Sequence, residues 1–211
     1  MTKKQMAKKM AFWIIGLIIL AIVIAESVIV GIDSYQYHQN QKLIERFNQT
    51  QEKSKTLVVF FSRSGNTEVM ARQIAKLQNA DVLPLQSDRN QIGFIGHIQA
   101  LKDARKTQAN IIPKQVDLSQ YDTIYIGSPI WLYSPAPQIY EFAKHNDFKN
   151  KKVILFNSMN SKFEQRYIDD FAKIIEGNGG EFEKHLYIIR GRMGQQMGQD
   201  EFLKEIETRV E

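Results

Sequence analysis

The stretch Leu57-Val58-Val59-Phe60-Phe61-Ser62-Arg63-Ser64-Gly65-Asn66-Thr67 places five apolar residues directly before a loop rich in hydroxyl side chains. The apolar half is short, continuous and rich in β-branched and aromatic residues, which is typical of a parallel strand buried on both faces. After the loop, apolar side chains recur at helical spacing, at Val69, Met70, Ile74 and Leu77. The stretch therefore predicts a strand, a tight loop and a helix in succession.

The same strand-then-helix pattern repeats along the rest of the chain. Further apolar runs predict strands over 82–85, 123–126, 153–156 and 186–189. Amphipathic stretches predict helices over 67–77, 95–108, 137–144, 163–175 and 201–210. Strands that alternate with helices predict an α/β fold with a doubly wound, five-stranded parallel sheet. Ligands bind such sheets at the carboxyl ends of the strands, so the loops after the strands are the expected functional sites.

The loop after the first strand has the properties of a phosphate site. Ser62, Ser64 and Thr67 supply hydroxyl groups, and Gly65 permits a tight turn. The N-terminus of the following helix offers free N–H groups and the positive end of the helix dipole. These features favour binding of a phosphate group. The alternative is a plain turn in which Asn66 or Thr67 caps the helix.

This loop resembles the phosphate loop of the flavodoxin family, Ser/Thr-x-Ser/Thr-Gly-Asn/Thr-Thr. A second stretch, Gly127-Ser128-Pro129-Ile130-Trp131, follows the predicted third strand and is similar to the Gly-Thr-Pro-Ile-Trp stretch of a flavodoxin-like subgroup. The resemblance covers roughly Lys55 to Val210. It implies a flavodoxin-like sheet with strand order 2-1-3-4-5 and FMN as the cofactor.

The resemblance also implies which residues bind FMN. The first loop would hold the phosphate through Ser62, Arg63, Ser64, Gly65, Asn66 and Thr67. The second loop would line the isoalloxazine with Ser128, Pro129, Ile130, Trp131, Leu132 and Tyr133. Trp131 or Tyr133 would stack on the ring, and ordinary packing under the next helix is the alternative for both. The loop after the fourth strand would reach the pyrimidine edge with Asn157, Ser158, Met159 and Asn160.

The sequence departs from the family pattern in two of these loops. Flavodoxins usually have a glycine in the loop after the fourth strand, where this chain has Asn157-Ser158-Met159-Asn160-Ser161. Many flavodoxins also have a glycine in the second loop, and none follows Trp131 closely here.

An apolar segment precedes the predicted domain. No charged side chain occurs from Met10 to Ala25, and after Glu26 and Ser27 the apolar run resumes over 28–32. A helix over 10–32 would be about 35 Å long at about 1.5 Å per residue, which is enough to cross the hydrocarbon core of a bilayer. We therefore predict a single transmembrane helix over residues 10–32 that anchors the chain in the lipid bilayer. A cleaved secretory signal is the alternative.

The flanks of this segment predict its orientation. The tail 1–9 carries four lysines, whereas 33–41 contains no lysine or arginine. The positive-inside rule then places the basic tail in the cytoplasm and the domain, residues 55–211, outside the cell membrane. Residues 33–54 predict a polar, partly helical stalk, which we expect to be solvated; docking on the membrane or on the domain is the alternative. Its short apolar face consists of Leu43, Ile44 and Phe47.

Composition excludes several other kinds of site. The 211-residue chain has no cysteine, which excludes disulfides, thiol nucleophiles and cysteine-ligated metals. Its four histidines fall in no metal-ligand spacing, so no metal site is predicted, and no motif indicates a catalytic side chain. The net charge of +5 includes the lysines of the tail, and no basic stripe or recognition motif indicates binding to nucleic acid.

Three functional hypotheses follow. The favoured one is a membrane-anchored FMN protein that transfers electrons between redox partner proteins or membrane quinones. The second is an FMN-dependent oxidoreductase that takes hydride from NAD(P)H and reduces a quinone or similar acceptor. The third is a binding module with the flavodoxin fold that has lost the flavin.

Overall fold

The computed structural model describes residues 2–47, 54–191 and 195–210. The helices are α1 (Lys3–Ile44), α2 (Asn66–Gln78), α3 (Phe94–Asp103), α4 (Pro137–His145), α5 (Gln165–Gly177) and α6 (Gln199–Val210). The strands are β1 (Thr56–Phe60), β2 (Asp81–Pro84), β3 (Thr123–Trp131), β4 (Ser134–Pro135), β5 (Lys152–Met159) and β6 (Glu181–Ile189).

The sheet has the predicted parallel topology. Its order is β2-β1-β3-β5-β6, and each neighbouring pair in this series is parallel. For the five main strands this is the predicted order 2-1-3-4-5, so the flavodoxin-like fold class is confirmed. The prediction missed a sixth strand, the two-residue β4, which pairs with the end of β3 in an antiparallel hairpin.

Two central strands are longer than their apolar patterns predicted. β3 continues to Trp131 and β5 continues to Met159, so the predicted loops Gly127–Trp131 and Asn157–Met159 are strand extensions. Pairing between the two strands continues through Ser128 with Asn157. Both side chains are fully buried and hydrogen-bonded to each other, which explains why polar residues continue a central strand.

Helices cover both faces of the sheet. On one face, α4 and α5 contribute Ile139, Phe142 and Phe171 to the core. On the other face, α2 and α6 contribute side chains such as Met70 and Phe202. Successive residues of the central strands, such as Val58 and Val59 in β1, therefore face opposite apolar layers, as the continuous apolar strands require.

Helix α1 combines the predicted membrane segment with most of the predicted stalk. It is long and apolar enough to cross a membrane, although a signal sequence has the same composition. The expectation of a solvated stalk is wrong, because Leu43 and Ile44 are only 6% and 8% exposed and pack into the core beside α2 and α6. The remainder of the predicted stalk includes 48–53, which lie outside the described residues.

Candidate cofactor site at the carboxyl ends of the strands

The loop between β1 and α2 leaves the start of the helix open. Gly65 is the N-cap residue, with a φ of +86°, and no side chain of the described residues caps the helix. The first helical hydrogen bond of the turn joins the N–H of Val69 to the carbonyl of Gly65 at 2.9 Å. The amide N–H groups of Asn66, Thr67 and Glu68 therefore have no partner within the helix. Capping by Asn66 or Thr67, the alternative to phosphate binding, is not observed.

The hydroxyl groups of this loop differ in their partners. Thr67 is 1% exposed, and its Oγ1 lies 2.8 Å from the Oγ of Ser158. The Oγ of Ser62 is buried and has no hydrogen-bond partner in the described part of the chain. A buried polar group without a partner costs about 1–3 kcal/mol, so the Ser62 hydroxyl is a group that a ligand would satisfy.

One cleft at this end of the sheet brings together twelve of the sixteen predicted cofactor-binding residues. It is formed where β1, β3 and β5 end, as expected for a parallel sheet. These residues are Ser62, Arg63, Ser64, Asn66, Thr67, Pro129, Ile130, Trp131, Leu132, Ser158, Met159 and Asn160. The structure thus places residues from all three predicted loops around one space.

The other four predicted residues, Gly65, Ser128, Tyr133 and Asn157, do not line the cleft. Asn157 is fully buried, and its Nδ2 donates to the carbonyl of Ser128 at 2.7 Å. Its Oδ1 lies 2.8 Å from the Nε2 of His185. These bonds hold the Asn157 side chain within the sheet, so it does not reach the cleft that the next three residues line. Asn157 instead joins β3, β5 and β6.

The aromatic residues of the second loop occupy different places. Trp131 lines the cleft and packs edge-to-face on Phe61, with ring centroids 5.7 Å apart. Leu132 and Tyr133 form the turn between β3 and β4, with φ values of +43° and +76°. Type I′ hairpin turns require positive φ at both central positions, and here Leu132 and Tyr133 adopt these angles in place of the usual glycine or asparagine. The Tyr133 ring lies 5.2 Å from the ammonium of Lys162, outside the cleft. Trp131 is therefore the predicted aromatic residue placed to face a ligand.

Sequence reasoning missed a wall of the cleft that comes from α1. Ile29, Asp33 and Gln36 line the cleft, and Asn40 continues the same helical face. Both terminal nitrogens of Arg63 donate to Oδ2 of Asp33 at 2.7 Å. The spacing of these four α1 residues, at i, i+4, i+7 and i+11, was the available signal for a shared face. Nothing local in the sequence links that face to the phosphate loop.

Further residues that the prediction missed come from α3 and from the segment before α6. They are His97, Ala100, Leu101 and Gln196. The predicted α3 had no assigned role, so its contribution follows only from the way it packs beside α1.

A polar network fastens α1 to the phosphate loop. The Nδ2 of Asn40 donates to the carbonyl of Ser64 at 2.8 Å and to Oδ1 of Asn66 at 2.7 Å. Nη1 of Arg190 donates to Oδ1 of Asn40 at 3.1 Å and also to Oδ1 of Asn66. A Cβ on Gly65 would lie 2.7 Å from the Cβ of Asn40, so this contact requires glycine.

The network places a buried positive charge beside the loop. Arg190 is 6% exposed, and burial lowers the pKa of its guanidinium to about 10, so it remains charged at neutral pH. Within the described ranges no carboxylate pairs with it. Together with the N-terminus of α2, this charge makes the end of the cleft favourable for an anion.

Comparison with known proteins supports the same fold. Residues 97–175 match the model of a flavodoxin family. A search of curated proteins finds no match to the sequence.

Several solved structures share the architecture. A candidate flavoprotein from Bacteroides uniformis ATCC 8492 is 22% identical, with a TM-score of 0.56 over 74% of this chain and 99% of that chain. Another from Bacteroides eggerthii DSM 20697 is 18% identical, with a TM-score of 0.54 over 75% and 99%. A flavoprotein from Lactobacillus acidophilus NCFM, solved in complex with FMN, is 21% identical, with a TM-score of 0.51 over 63% and 92%. At these identities the likeness establishes the fold.

Proposed function

Because this chain carries a flavodoxin-like domain, we propose that it binds FMN in the cleft and transfers electrons close to a membrane. The observation that carries the proposal is the buried hydroxyl of Ser62 beside the N-terminus of α2, neither of which has a side-chain partner among the described residues. A phosphate group would satisfy both, since it accepts hydrogen bonds from hydroxyl and amide donors.

The residues of the cleft divide into two groups by chemistry. Ser62, Thr67 and the free N–H groups of α2 would hold the phosphate, with Arg63 and Arg190 supplying positive charge nearby. Trp131 would form an aromatic wall for the ring and exclude water from it. Bound FMN would supply the redox chemistry, and the protein would bind, orient and electrostatically tune it.

The membrane part of the proposal rests on α1. Its apolar residues are exposed, from Met10 at 63% to Val28 at 55%, and a bilayer would cover them. We assign a single pass, with the lysine-rich tail in the cytoplasm and the domain outside. Protease added to cells without an outer barrier should then digest the domain. Protection of the domain, while a known outer marker is cleaved, would reverse the assignment.

Substitution of the two loop hydroxyls tests cofactor binding. Ser62→Ala removes a hydroxyl with no partner in the described protein, so the ligand-free protein should be as stable as the wild type or more stable. Its affinity for FMN should fall about ten- to a hundredfold, the effect of one hydrogen bond to a charged group. Thermal unfolding without ligand and fluorescence titration with FMN provide the two measurements.

Thr67→Ala is the matched comparison. It should weaken FMN binding similarly, but it should also destabilise the ligand-free protein because Ser158 loses its partner. Riboflavin, which lacks the phosphate, serves as the control ligand, and neither substitution should change its affinity. Equal weakening of FMN and riboflavin, or no uptake of FMN by the wild type, would contradict the proposed site.

A further inference from the structure

Helix α3 exposes large apolar side chains at its beginning. Phe94 is 50% exposed and Ile95 is 71% exposed, and Leu101, two turns later, is 45% exposed. Single exposed apolar residues are common on protein surfaces, but adjacent ones at a helix start are typical of a contact surface. The position of α3 relative to α1 indicates what covers them.

The first turns of α3 lie where the apolar part of α1 ends. Nε2 of His97 lies 3.7 Å from Oε2 of Glu26, the first charged residue after the apolar run. Leu101 lines the same cleft as Ile29 and Asp33, which follow Glu26 by about one and two turns. His97 lies about one turn after Phe94 in α3, so the first turn of α3 lies close to the level of Glu26, where the apolar run ends.

The apolar segment before Glu26 is shorter than the hydrocarbon core, so the residues around Glu26 are expected to lie at the edge of the bilayer. The stretch from Met10 to Ala25 covers about 24 Å as a helix, whereas the hydrocarbon core is about 30 Å thick. On the tail side the next residues are the charged Lys9 and Lys8, so we expect the missing length from the other side, residues 26–29, of which Glu26 and Ile29 lie against the domain. The elements packed against those residues are drawn toward the lipid with them.

We propose that the first turn of α3 inserts Phe94 and Ile95 into the membrane surface beside α1. The inference rests on the membrane anchoring proposed above, and its partner is the lipid bilayer itself. Apolar side chains of interfacial helices reach about 5–10 Å into the boundary between headgroups and acyl chains. The carboxylate of Glu26 faces His97 at this depth instead of facing lipid.

This placement brings the mouth of the cofactor cleft to the headgroup region. Leu101 and Leu132, both on the rim of the cleft, are 45% and 47% exposed. An apolar electron carrier dissolved in the bilayer would meet this rim without leaving the membrane. The arrangement therefore favours a lipid-soluble partner, such as a quinone, for the FMN site.

The absence of cysteine from the chain allows a direct test. The full-length protein is labelled with an environment-sensitive fluorophore at a single introduced cysteine and is reconstituted into phosphatidylcholine vesicles. The positions are Phe94→Cys and Ile95→Cys for the inference, Ile18→Cys for the anchor and Leu77→Cys as the control. Leu77 is 39% exposed near the end of α2, four residues before β2 begins, and so lies toward the amino ends of the strands, away from the cleft. Quenching by lipids with acyl-chain nitroxides is then measured.

The inference expects loss of emission at positions 94, 95 and 18, with none at 77. Quenching at 18 alone would overturn the inference and leave the anchor intact. No quenching at any position would overturn both. Labels at 94 and 95 that are protected from aqueous iodide but not quenched by lipid would also overturn it, in favour of a protein contact. Quenching at all four positions would indicate general adhesion to lipid and would likewise contradict it.

Discussion

Arg63 and Asp33 hold opposite charges at the rim of the candidate FMN site. Their side chains are 8% and 16% exposed, and both terminal nitrogens of Arg63 lie 2.7 Å from one carboxylate oxygen of Asp33. Each charge is nearly buried, so each depends on the other for compensation. In the proposed complex, the FMN phosphate would offer Arg63 a second anion close to Asp33.

Asp33→Asn should therefore affect stability and affinity in opposite directions. Loss of one partner of a buried pair costs about 3–5 kcal/mol, which should lower the melting temperature of the ligand-free protein. FMN would restore a partner to Arg63, so its affinity should rise about tenfold or more, equivalent to about 1.4 kcal/mol. Riboflavin affinity should not change. Titration with both ligands measures the effect.

A matched control is available at the surface. Asp122 pairs with Lys55 at 3.9 Å, and both side chains are 72% exposed. Asp122→Asn should change stability by less than about 1 kcal/mol and leave both affinities unchanged, because exposed pairs contribute little. If FMN affinity instead falls in Asp33→Asn, Asp33 supports FMN binding directly. It would then not compete with the FMN phosphate for Arg63.

His185 should make stability depend on pH. Burial lowers the pKa of its imidazole from 6.5 to about 4, so the folded protein holds it neutral at neutral pH. Below about pH 6.5 the unfolded chain binds a proton that the folded protein excludes. The contribution of the buried neutral His185 to the free energy of unfolding should therefore be complete above pH 6.5. It should decrease by about 3 kcal/mol as the pH drops toward 4.

Urea unfolding between pH 4 and 7.5 measures this effect in the wild type and in His185→Gln. The substitution should flatten the stability profile across the window from pH 6.5 to 4. A slope that persists in His185→Gln would assign the acid sensitivity to other groups.

At the scale of elements, the end of α1 belongs to the core of the domain. Leu43 and Ile44 pack against the layer formed with α2 and α6. Replacing both by alanine should lower the free energy of unfolding by several kcal/mol, at about 2–5 kcal/mol for each buried side chain. Leu77→Ala, on the exposed end of α2, should have a much smaller effect. Denaturant unfolding of the full chain compares the three proteins.

The same contact bears on the domain boundary. A fragment that begins at Lys55 lacks both side chains, so it should unfold at a lower temperature than one that begins at Asp33. Equal melting temperatures would show that α1 does not dock on the domain in solution.

Features carried by local patterns were predictable from the sequence. About twenty consecutive residues contain the apolar run of β1, the hydroxyl-rich loop after it and the amphipathic α2. Each of these patterns is recognisable from a few neighbouring residues. The extension of β5 through Asn157 was not predictable in this way. Its polar side chain is satisfied by Ser128, twenty-nine residues away in the sequence. A buried polar pair between strands leaves no periodic signal along either strand.

The wall of the cleft that α1 forms could not be predicted from local sequence patterns either. Asp33 and Arg63 are thirty residues apart, and residues 33–54 predict a solvated stalk because they are rich in polar side chains. The polar residues of that stretch include Asn40, which is 1% exposed and hydrogen-bonded to the phosphate loop. Composition alone does not distinguish a polar side chain in water from one in a satisfied network.

At the scale of the whole molecule, the proposed membrane anchor and one wall of the candidate cofactor cleft belong to the same helix. Helix α1 carries the exposed apolar segment, then the wall of the cleft with Asp33, then the core residues Leu43 and Ile44. If α1 spans the membrane as proposed, the domain is held near the bilayer and has a high effective concentration toward membrane redox partners. The proposed anchoring therefore favours electron transfer between membrane components over turnover of a soluble donor.

The FMN-loaded protein should accordingly accept electrons from a protein or quinol donor but not directly from NADH or NADPH. The sequence has no second glycine-rich turn of the Gly-x-Gly-x-x-Gly kind that would hold a dinucleotide pyrophosphate. An extracytoplasmic domain would also be separated from the cytoplasmic pool of both dinucleotides. Anaerobic mixing with excess NADH or NADPH, followed at the visible absorbance maximum of the flavin, measures direct reduction, and dithionite provides the positive control. Full bleaching by dithionite with none by NAD(P)H is the expected result, whereas rapid bleaching without an added reductase would favour the NAD(P)H-dependent oxidoreductase instead.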